Sequence, residues 1–410
     1  MELRSYGEFS AAVQGRGGSA RVPLNVTIEV TRRCPLACSH CYNNLPVGDR
    51  SAREGELTLD QHRRLLDELA ELGSLWVLFT GGEIFARPDF LDIYDHARAR
   101  GFLVTLFTNG TMITPAIADH LARRRPFAIE ITLYGRTRET YERLTGVPGS
   151  YDRCLRGIQL LLERKLPLKL KTVAVSINRH EVDDMRRFAE ELGVEFRLDA
   201  MMNPRIDCSQ SPLAVRLSPE EVVEMDVRDP RRMEEWGMFA RRNPQPLTGP
   251  QVYQCGGGVS SFAVDPGGAM SICVLSHQDR FELAGGSVRE GWEGFLGKVR
   301  GKTATRITRC TGCGLKPMCG MCPANGELEN GDPEEPVEFL CQVAHLRAYA
   351  FGLPVPAHGD CPCCSGPVHH ELRASAARLA SGTSAVRRSP ALALAAPEAD
   401  HCGGGCASCR

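Results

Sequence analysis

From residue 22 to about 200, short apolar runs alternate with stretches of helical periodicity. Val26 to Val30, Leu75 to Phe79, Leu103 to Phe107, Phe127 to Leu133, Leu168 to Val175 and Val194 to Leu198 read as six strands. Between the first two, Thr58 and Gln61 form a capping-box pattern, Leu65, Leu66, Leu69 and Leu72 recur on one helical face, and Gly73 marks the stop. Pro88 to Arg100, Pro115 to Arg123, Tyr151 to Arg164 and Glu181 to Leu192 repeat that helical pattern with polar outer faces. Strands alternating with helices predict an α/β chain with a parallel sheet, and six such units make a partial (β/α)6 barrel rather than a closed eightfold one. In that arrangement ligands sit at the carboxyl ends of the strands.

Beyond residue 205 the pattern changes. Residues 206–250 carry several prolines and a charged segment without a strand signal, and read as a connecting helix with linkers. Residues 251–352 are rich in cysteine and glycine, and 353–410 read as a partly disordered, cysteine-containing tail. With 1–21 as an N-terminal segment and 22–205 as the core, this gives several domains, as 410 residues require. Charge is balanced, with 49 basic and 50 acidic residues, so nothing draws the chain to nucleic acid or to an anionic membrane. No apolar run reaches the roughly 18–20 residues needed to span a bilayer, and no signal-peptide pattern opens the chain, so a cytoplasmic location is expected. In that compartment 18 cysteines point to metal or redox chemistry rather than disulfides.

Cys34, Cys38 and Cys41 follow the first strand with the spacing C-x3-C-x2-C. A tight trio of thiolates without a fourth partner suggests a [4Fe–4S] cluster with one iron open to a small molecule. Zinc with a distant fourth ligand, or buried thiols, are the plainer readings; zinc sites usually pair C-x2-C units at longer separation, and core thiols have no reason to cluster in a polar loop. Gly81-Gly82-Glu83 follows the second strand, where two glycines allow close backbone approach and a carboxylate can pair with an ammonium. Thr108-Asn109-Gly110-Thr111 follows the third.

Together the cysteine spacing and Gly81-Gly82-Glu83 resemble the radical S-adenosylmethionine (SAM) enzymes, whose core is a partial, TIM-like barrel. By that resemblance the open iron is chelated by the amino and carboxylate groups of SAM, and Gly81, Gly82 and Glu83 take the methionine amino group. His40 stands where the family has an aromatic residue near the adenine. Asn109, in the Thr108–Thr111 segment, is placed to lie over the ribose or the substrate, with a plain turn after the strand as the alternative. The segment Ile131-Thr132-Leu133-Tyr134-Gly135 with Arg143 looks like the Ser-Leu-Asp-Gly stretch and downstream arginine of related maturases, which hold the SAM carboxylate; Tyr134 departs from it in place of aspartate.

A second cysteine series follows: Cys255, Cys273 closing a hairpin around Asp265-Pro266-Gly267-Gly268, then Cys310, Cys313, Cys319, Cys322 and Cys341. It resembles the SPASM extension of radical SAM peptide maturases, with x2 in place of x3 before Cys322. The resemblance implies two auxiliary [4Fe–4S] clusters, one held by Cys310, Cys313, Cys319 and Cys341, the other by Cys255, Cys273 and Cys322 with an open iron. A zinc ribbon is the alternative, but five residues between the C-x2-C units are few for its loop. Cys361, Cys363, Cys364 and the terminal Cys402, Cys406 and Cys409 stay open between a further metal site, a substrate mimic and free thiols.

The function implied is reductive cleavage of SAM to a 5′-deoxyadenosyl radical that abstracts hydrogen from a peptide or protein, as in ribosomal peptide maturation. Formylglycine-type maturation, small-molecule oxidation and, in another class, a non-catalytic iron–sulfur electron carrier are the alternatives. The implied partners are the substrate, a reductase, flavodoxin or ferredoxin as electron donor, and a separate leader-recognition protein, since about twenty residues precede the first strand.

Overall fold

A computed structural model describes residues 5–242 and 249–382 of the chain. It divides into two compact units, one of residues up to Met202 together with Cys255–Gly301, the other of Asn203–Gln254 with the residues from Lys302 on.

The first unit is built on an open sheet of nine strands among the described residues. Six are the parallel strands expected: β1 (Asn25–Glu29), β2 (Trp76–Thr80), β3 (Leu103–Thr108), β4 (Ala128–Thr132), β5 (Leu168–Val173) and β6 (Glu195–Asp199), side by side in chain order. Three more come from the cysteine-rich segment: β7 (Ser261–Val264), β8 (Ala269–Ser271) and β9 (Phe281–Glu282). β7 runs parallel to β1, with Asn25 opposite Ser261 and Ile28 opposite Val264, and β8 and β9 continue the sheet antiparallel. The expected hairpin is the β7–β8 turn, held by Gly267 and Ala269 N–H groups donating to Asp265 Oδ1 at 3.0 and 2.9 Å.

Alternate strand residues face opposite sides of the sheet. Val26, Ile28, Val104, Leu106, Ile129, Ile131 and Leu170 are buried and meet the helices α2 (Leu59–Glu71), α3 (Phe90–Ala99), α4 (Pro115–Arg123), α6 (Ser150–Glu163) and α7 (Val182–Glu191). On α2 the periodic Leu65, Leu66 and Leu69 are all buried, each contributing about 1.5–3 kcal/mol. The other parity, Glu29, Phe107, Glu130, Thr132, Lys171 and Arg197, lines the inner face, so the charged residues of these strands share one side.

Two of the helices that went unread in the pattern bear on the site's frame. α1 (Tyr6–Ser19) lies in the N-terminal segment and is started by a Ser5/Glu8 capping box. α5 (Arg138–Thr145), between β4 and α6, is held at its start by Glu181, which accepts from the Arg136 and Thr137 N–H groups at 2.6 and 3.0 Å and from the Thr137 and Thr140 hydroxyls, each at 2.6 Å. Burial alone would raise the Glu181 carboxyl, but these four bonds hold it below the usual range.

The second unit is helical. Residues read as a connector form α8 (Pro219–Arg228) and α9 (Pro230–Arg242); α10 (Pro323–Asn330) and α11 (Glu338–Ala350) follow. α12 (Gly366–Ala380), inside the segment read as tail, buries Leu372, Ala376 and Leu379 and packs on α11. Asp226 of α8, fully buried, bridges Arg232 and Arg347 at 2.6 and 2.8 Å. Cys402, Cys406 and Cys409 lie outside the described residues.

Glu181→Ala strands two backbone N–H groups and two hydroxyls at the start of α5. It is expected to cost about 2–4 kcal/mol in urea unfolding, and Glu181→Gln less, because the amide oxygen still accepts.

Candidate metal and cofactor site

The cysteine loop leaves β1 and is closed by a short parallel pairing of Arg33–Cys34 with Leu45–Pro46. Its flanks are pinned by charges that sequence reasoning passed over. Arg33, 5% exposed, reaches Glu56 through two bonds of 2.8 and 2.9 Å. Glu29 accepts from Tyr42 Oη at 2.9 Å and Asn43 Nδ2 at 2.6 Å, which holds the residues just after Cys41. Inside the loop, Ala37 and Ser39 N–H groups donate to the Thr145 and Leu144 carbonyls at the end of α5, at 2.9 and 3.1 Å. The loop is therefore tied to both β1 and α5.

Gly81 and Gly82 are needed for this loop's own backbone. Gly82 N–H donates to Thr31 O at 2.7 Å and Glu83 N–H to Arg33 O at 3.0 Å. A Cβ at Gly81, where φ is 138°, would stand 2.1 Å from Thr31 O, and one at Gly82 would stand 2.4 Å from Arg32 O. Backbone groups cannot yield as a flexible side chain would, so the two turns after β1 and β2 fit only with glycine here.

Glu83 is 1% exposed and receives Thr108 Oγ1 at 2.7 Å, Asn109 N–H at 2.8 Å and Phe85 N–H at 3.2 Å. Burial raises its carboxyl against the pull of these donors. Asn109 Nδ2 lies 3.5 Å from Cys34 Sγ, so the turns after β1, β2 and β3 meet through one residue, its main-chain N–H on Glu83 and its side chain on Cys34. The Asn109 amide is itself held by Thr111, whose N–H and hydroxyl donate to Oδ1 at 2.9 and 2.6 Å. Thus Cys34, Glu83 and Asn109, read from three separate motifs, form one network.

Burial pushes the Cys34 thiol up to about 12, with the charges of Glu83 and Cys41 adding to it. Cys38 is also raised, first by burial, then by Cys41 and Cys34, while a hydrogen bond from Tyr134 lowers it. The three sulfurs therefore lie close enough for their charges to act on one another, and Tyr134, a departure from the family pattern, reaches Cys38. The His40 ring lies 5.3 Å from that of Tyr134, and its Nδ1 is buried without a hydrogen-bond partner. Burial lowers His40 to about 4, so the imidazole is neutral at physiological pH. Thr132 ends β4 opposite Lys171, and Arg143 is exposed on α5. On the inner face, Glu130 Oε2 lies 3.5 Å from both Lys171 Nζ and Arg197 Nη1, and burial takes Lys171 down to about 7.

The sequence profile described as the radical SAM superfamily matches residues 28–190. Residues 28–190 are a radical SAM domain. Among relatives, the mycofactocin maturase MftC of Mycobacterium tuberculosis is 28% identical over 341 residues, which cover 76% of this chain and 82% of the relative. The AdoMet-dependent heme synthase of Methanosarcina barkeri is 32% identical over 171 residues, 42% of this chain and 48% of the relative, so that match spans about half the heme synthase. The solved structure of Streptococcus suis SuiB bound to precursor peptide SuiA aligns with a TM-score of 0.59 at 17% identity over 83% of each chain, a likeness of fold.

Radical SAM enzymes use a [4Fe–4S] cluster and SAM, and the residues present fit that pair. Cys34, Cys38 and Cys41 lie near enough for their charges to act on one another, and three thiolates would leave one iron of such a cluster open. Their mutual repulsion is relieved by a bound cation, which deprotonates coordinating thiols. The orphaned His40 Nδ1 adds a buried polar atom without a partner next to the trio's Cys41.

In the second unit the radical SAM domain's cysteine-rich extension brings Cys310, Cys313, Cys319 and Cys341 together. Burial raises Cys310 to about 11, followed by the charges of Cys341 and Cys313, and raises Cys319 to about 12, followed by those of Cys310, Cys341 and Cys313. Cys322 precedes α10 as its N-cap residue. Cys255, exposed, and Cys273, half-buried beyond β8, belong to the first unit. No helix among the described residues is long and apolar enough to cross a membrane.

Gly82→Ala is expected to lower iron bound at the first trio by more than half, with the auxiliary iron retained, as measured by iron and sulfide content. Tyr134→Phe is expected to keep that iron and shift the first cluster's potential downward, because a donor to a ligating sulfur favours the reduced state.

Proposed function

We propose that this protein is a radical SAM peptide maturase that installs a crosslink or other oxidative modification in a ribosomally made peptide. The observation that carries this is the match to the mycofactocin maturase, which covers 76% of this chain and so runs far beyond the 28–190 domain into the cysteine-bearing residues that follow it. The bound cluster and SAM supply a 5′-deoxyadenosyl radical that takes a hydrogen atom from a substrate carbon.

The chain's residues orient and shield that chemistry. Cys34, Cys38 and Cys41 hold the cluster, the Glu83 carboxylate faces the SAM amino group, and His40 lies against the adenine. Asn109 positions Cys34 and the ribose side, and Thr132 with Arg143 serves the SAM carboxylate. On the inner face Glu130, Lys171 and Arg197 present a charged floor toward which a polar peptide segment can be oriented. Cys310, Cys313, Cys319 and Cys341 hold a four-ligand auxiliary cluster. The seven-cysteine resemblance adds Cys255, Cys273 and Cys322 as ligands of another. Such clusters accept the electron left on the substrate radical. The electron donor is a flavodoxin, ferredoxin or reductase, a separate protein reads the peptide leader, and the setting is cytoplasmic.

The similarity to an AdoMet-dependent heme synthase supports a second reading, oxidation of a small molecule. Reconstituted enzyme with dithionite and SAM is expected to release 5′-deoxyadenosine and methionine, and Cys38→Ala to release neither. Co-expression with a short peptide encoded beside the gene is expected to give a peptide lighter by two hydrogens, or by the mass of a lost group, in mass spectra. Active SAM cleavage with every such peptide unchanged would turn the assignment to the small-molecule reading.

A further inference from the structure

Residues 341–364 bring together more metal-ligating groups than the auxiliary cluster uses. Cys341 is the last of the four thiols assigned to that cluster. One turn later on the same helix stands His345, and beyond α11 the chain returns with His358, Cys361, Cys363 and Cys364. Two overlapping sets of four ligand atoms lie within 4.8 Å of one another: Cys341, His345, Cys361 and Cys363, and His345, His358, Cys361 and Cys364. Only the second leaves Cys341 free for the iron cluster.

The second set also has the dimensions of a single tetrahedral ion. Ligand bonds of about 2.0–2.3 Å at tetrahedral angles place neighbouring nitrogen and sulfur atoms roughly 3.3–3.8 Å apart. Here His345 Nε2 lies 3.2 Å from Cys364 Sγ and 3.8 Å from Cys361 Sγ, and His358 Nδ1 lies 3.4 Å from Cys364 Sγ. The thiols of a four-iron cluster sit on different irons and are spread wider than this, so the spacing suits one ion; Cys341 Sγ is itself 3.7 Å from Cys361 Sγ, and it is its place with Cys310, Cys313 and Cys319 that gives it to iron.

The surroundings prepare the ligands. His345 Nδ1 lies 2.8 Å from the Cys341 carbonyl, so that nitrogen carries the proton and Nε2 presents its lone pair to the sulfurs. The two imidazoles stack at 5.6 Å with 24° between planes, which fixes both rings. Cys361 and Cys364 form a C-x2-C turn closed by Cys364 N–H to Cys361 O at 3.0 Å, the turn common to zinc sites. His358 Nδ1 is also 3.1 Å from Pro356 O, a bond that ion binding would give up with the Nδ1 proton. The remaining thiol, Cys363, lies 3.6 Å from Cys341 Sγ and 3.9 Å from Glu338 Oε1, outside this set.

We propose that His345, His358, Cys361 and Cys364 bind a zinc ion in an S2N2 site beside the auxiliary cluster, fastening the start of α12 to α11. A closed set of four protein ligands marks a structural ion rather than a catalytic one. The inference uses the auxiliary-cluster reading only to assign Cys341 to iron.

The test is metal analysis of the full chain, purified anaerobically without added zinc, with iron and zinc measured together. About one zinc per chain is expected. His358→Ala and Cys364→Ala are each expected to lose at least about nine-tenths of it with iron unchanged, and Cys341→Ala to keep it while losing iron. Zinc K-edge absorption of the unmodified chain, fitting two sulfur and two nitrogen neighbours, supports the site even where a variant does not fold. A zinc-free chain, a mononuclear iron at these ligands, a four-sulfur zinc environment, or loss of iron in Cys364→Ala would overturn it. So would zinc that survives His358→Ala but not Cys341→Ala. If Cys341→Ala keeps both metals, the auxiliary-cluster reading fails and the zinc site stands.

Discussion

Main chain meets main chain where the turn after β2 lies on the turn after β1, and the first site depends on that contact. Gly82 N–H and Glu83 N–H bond to the carbonyls of Thr31 and Arg33, and a Cβ at either glycine would fall 2.1–2.4 Å from a carbonyl oxygen. A backbone collision cannot be relieved by a new rotamer, so the constraint acts on the whole loop that carries Cys34, Cys38 and Cys41. It also places Glu83 in the same small volume as Cys34, where Asn109 joins them. The Glu83 carboxylate ties the turn after β2 to the end of β3, and the Gly82 and Glu83 N–H groups together with Asn109 Nδ2 tie both to the loop after β1.

The first site is an expensive environment for charge, and it is supported accordingly. Glu29 and Glu83 are raised by burial and each is held by donors from neighbouring loops. The thiols are raised by burial and by one another. Such groups are tolerable when hydrogen-bonded or when a cation shares the space. The supports at its edges, Arg33 with Glu56 and Glu181 with the start of α5, hold the loop's shape. Catalytic positioning of this kind is set by residues that never touch the reactants.

In the second unit, α11 organises two sets of ligands through its 3.6-residue period. Cys341 and His345 fall on one face a turn apart, so a single helix supplies a thiol to one group and an imidazole to the next. Arg347 on the same helix is tied to buried Asp226, which fixes the helix against α8. Packing and ligand geometry are therefore one problem here: moving α11 would disturb both sites.

The six parallel strands and their helices were legible because each segment carries its own signal. The alternation of β3 or the leucine face of α2 needs no partner to be recognised, and the three cysteines and Gly81-Gly82-Glu83 announce their chemistry by local spacing. The pairing of β7 with β1 was hidden, since a four-residue strand contributes little pattern and its partner lies more than two hundred residues away. Tyr134 reaching Cys38, the grip of Glu181 on α5, and the backbone neighbours of Gly81 and Gly82 were hidden for the same reason. The sequence alone thus determined the chemistry of the ligands and the order of the βα units, because residue type and short-range period are properties of the chain. Only the tertiary structure decided which ligands share a site and which backbone must yield to which, because those depend on distances between segments that the sequence leaves far apart.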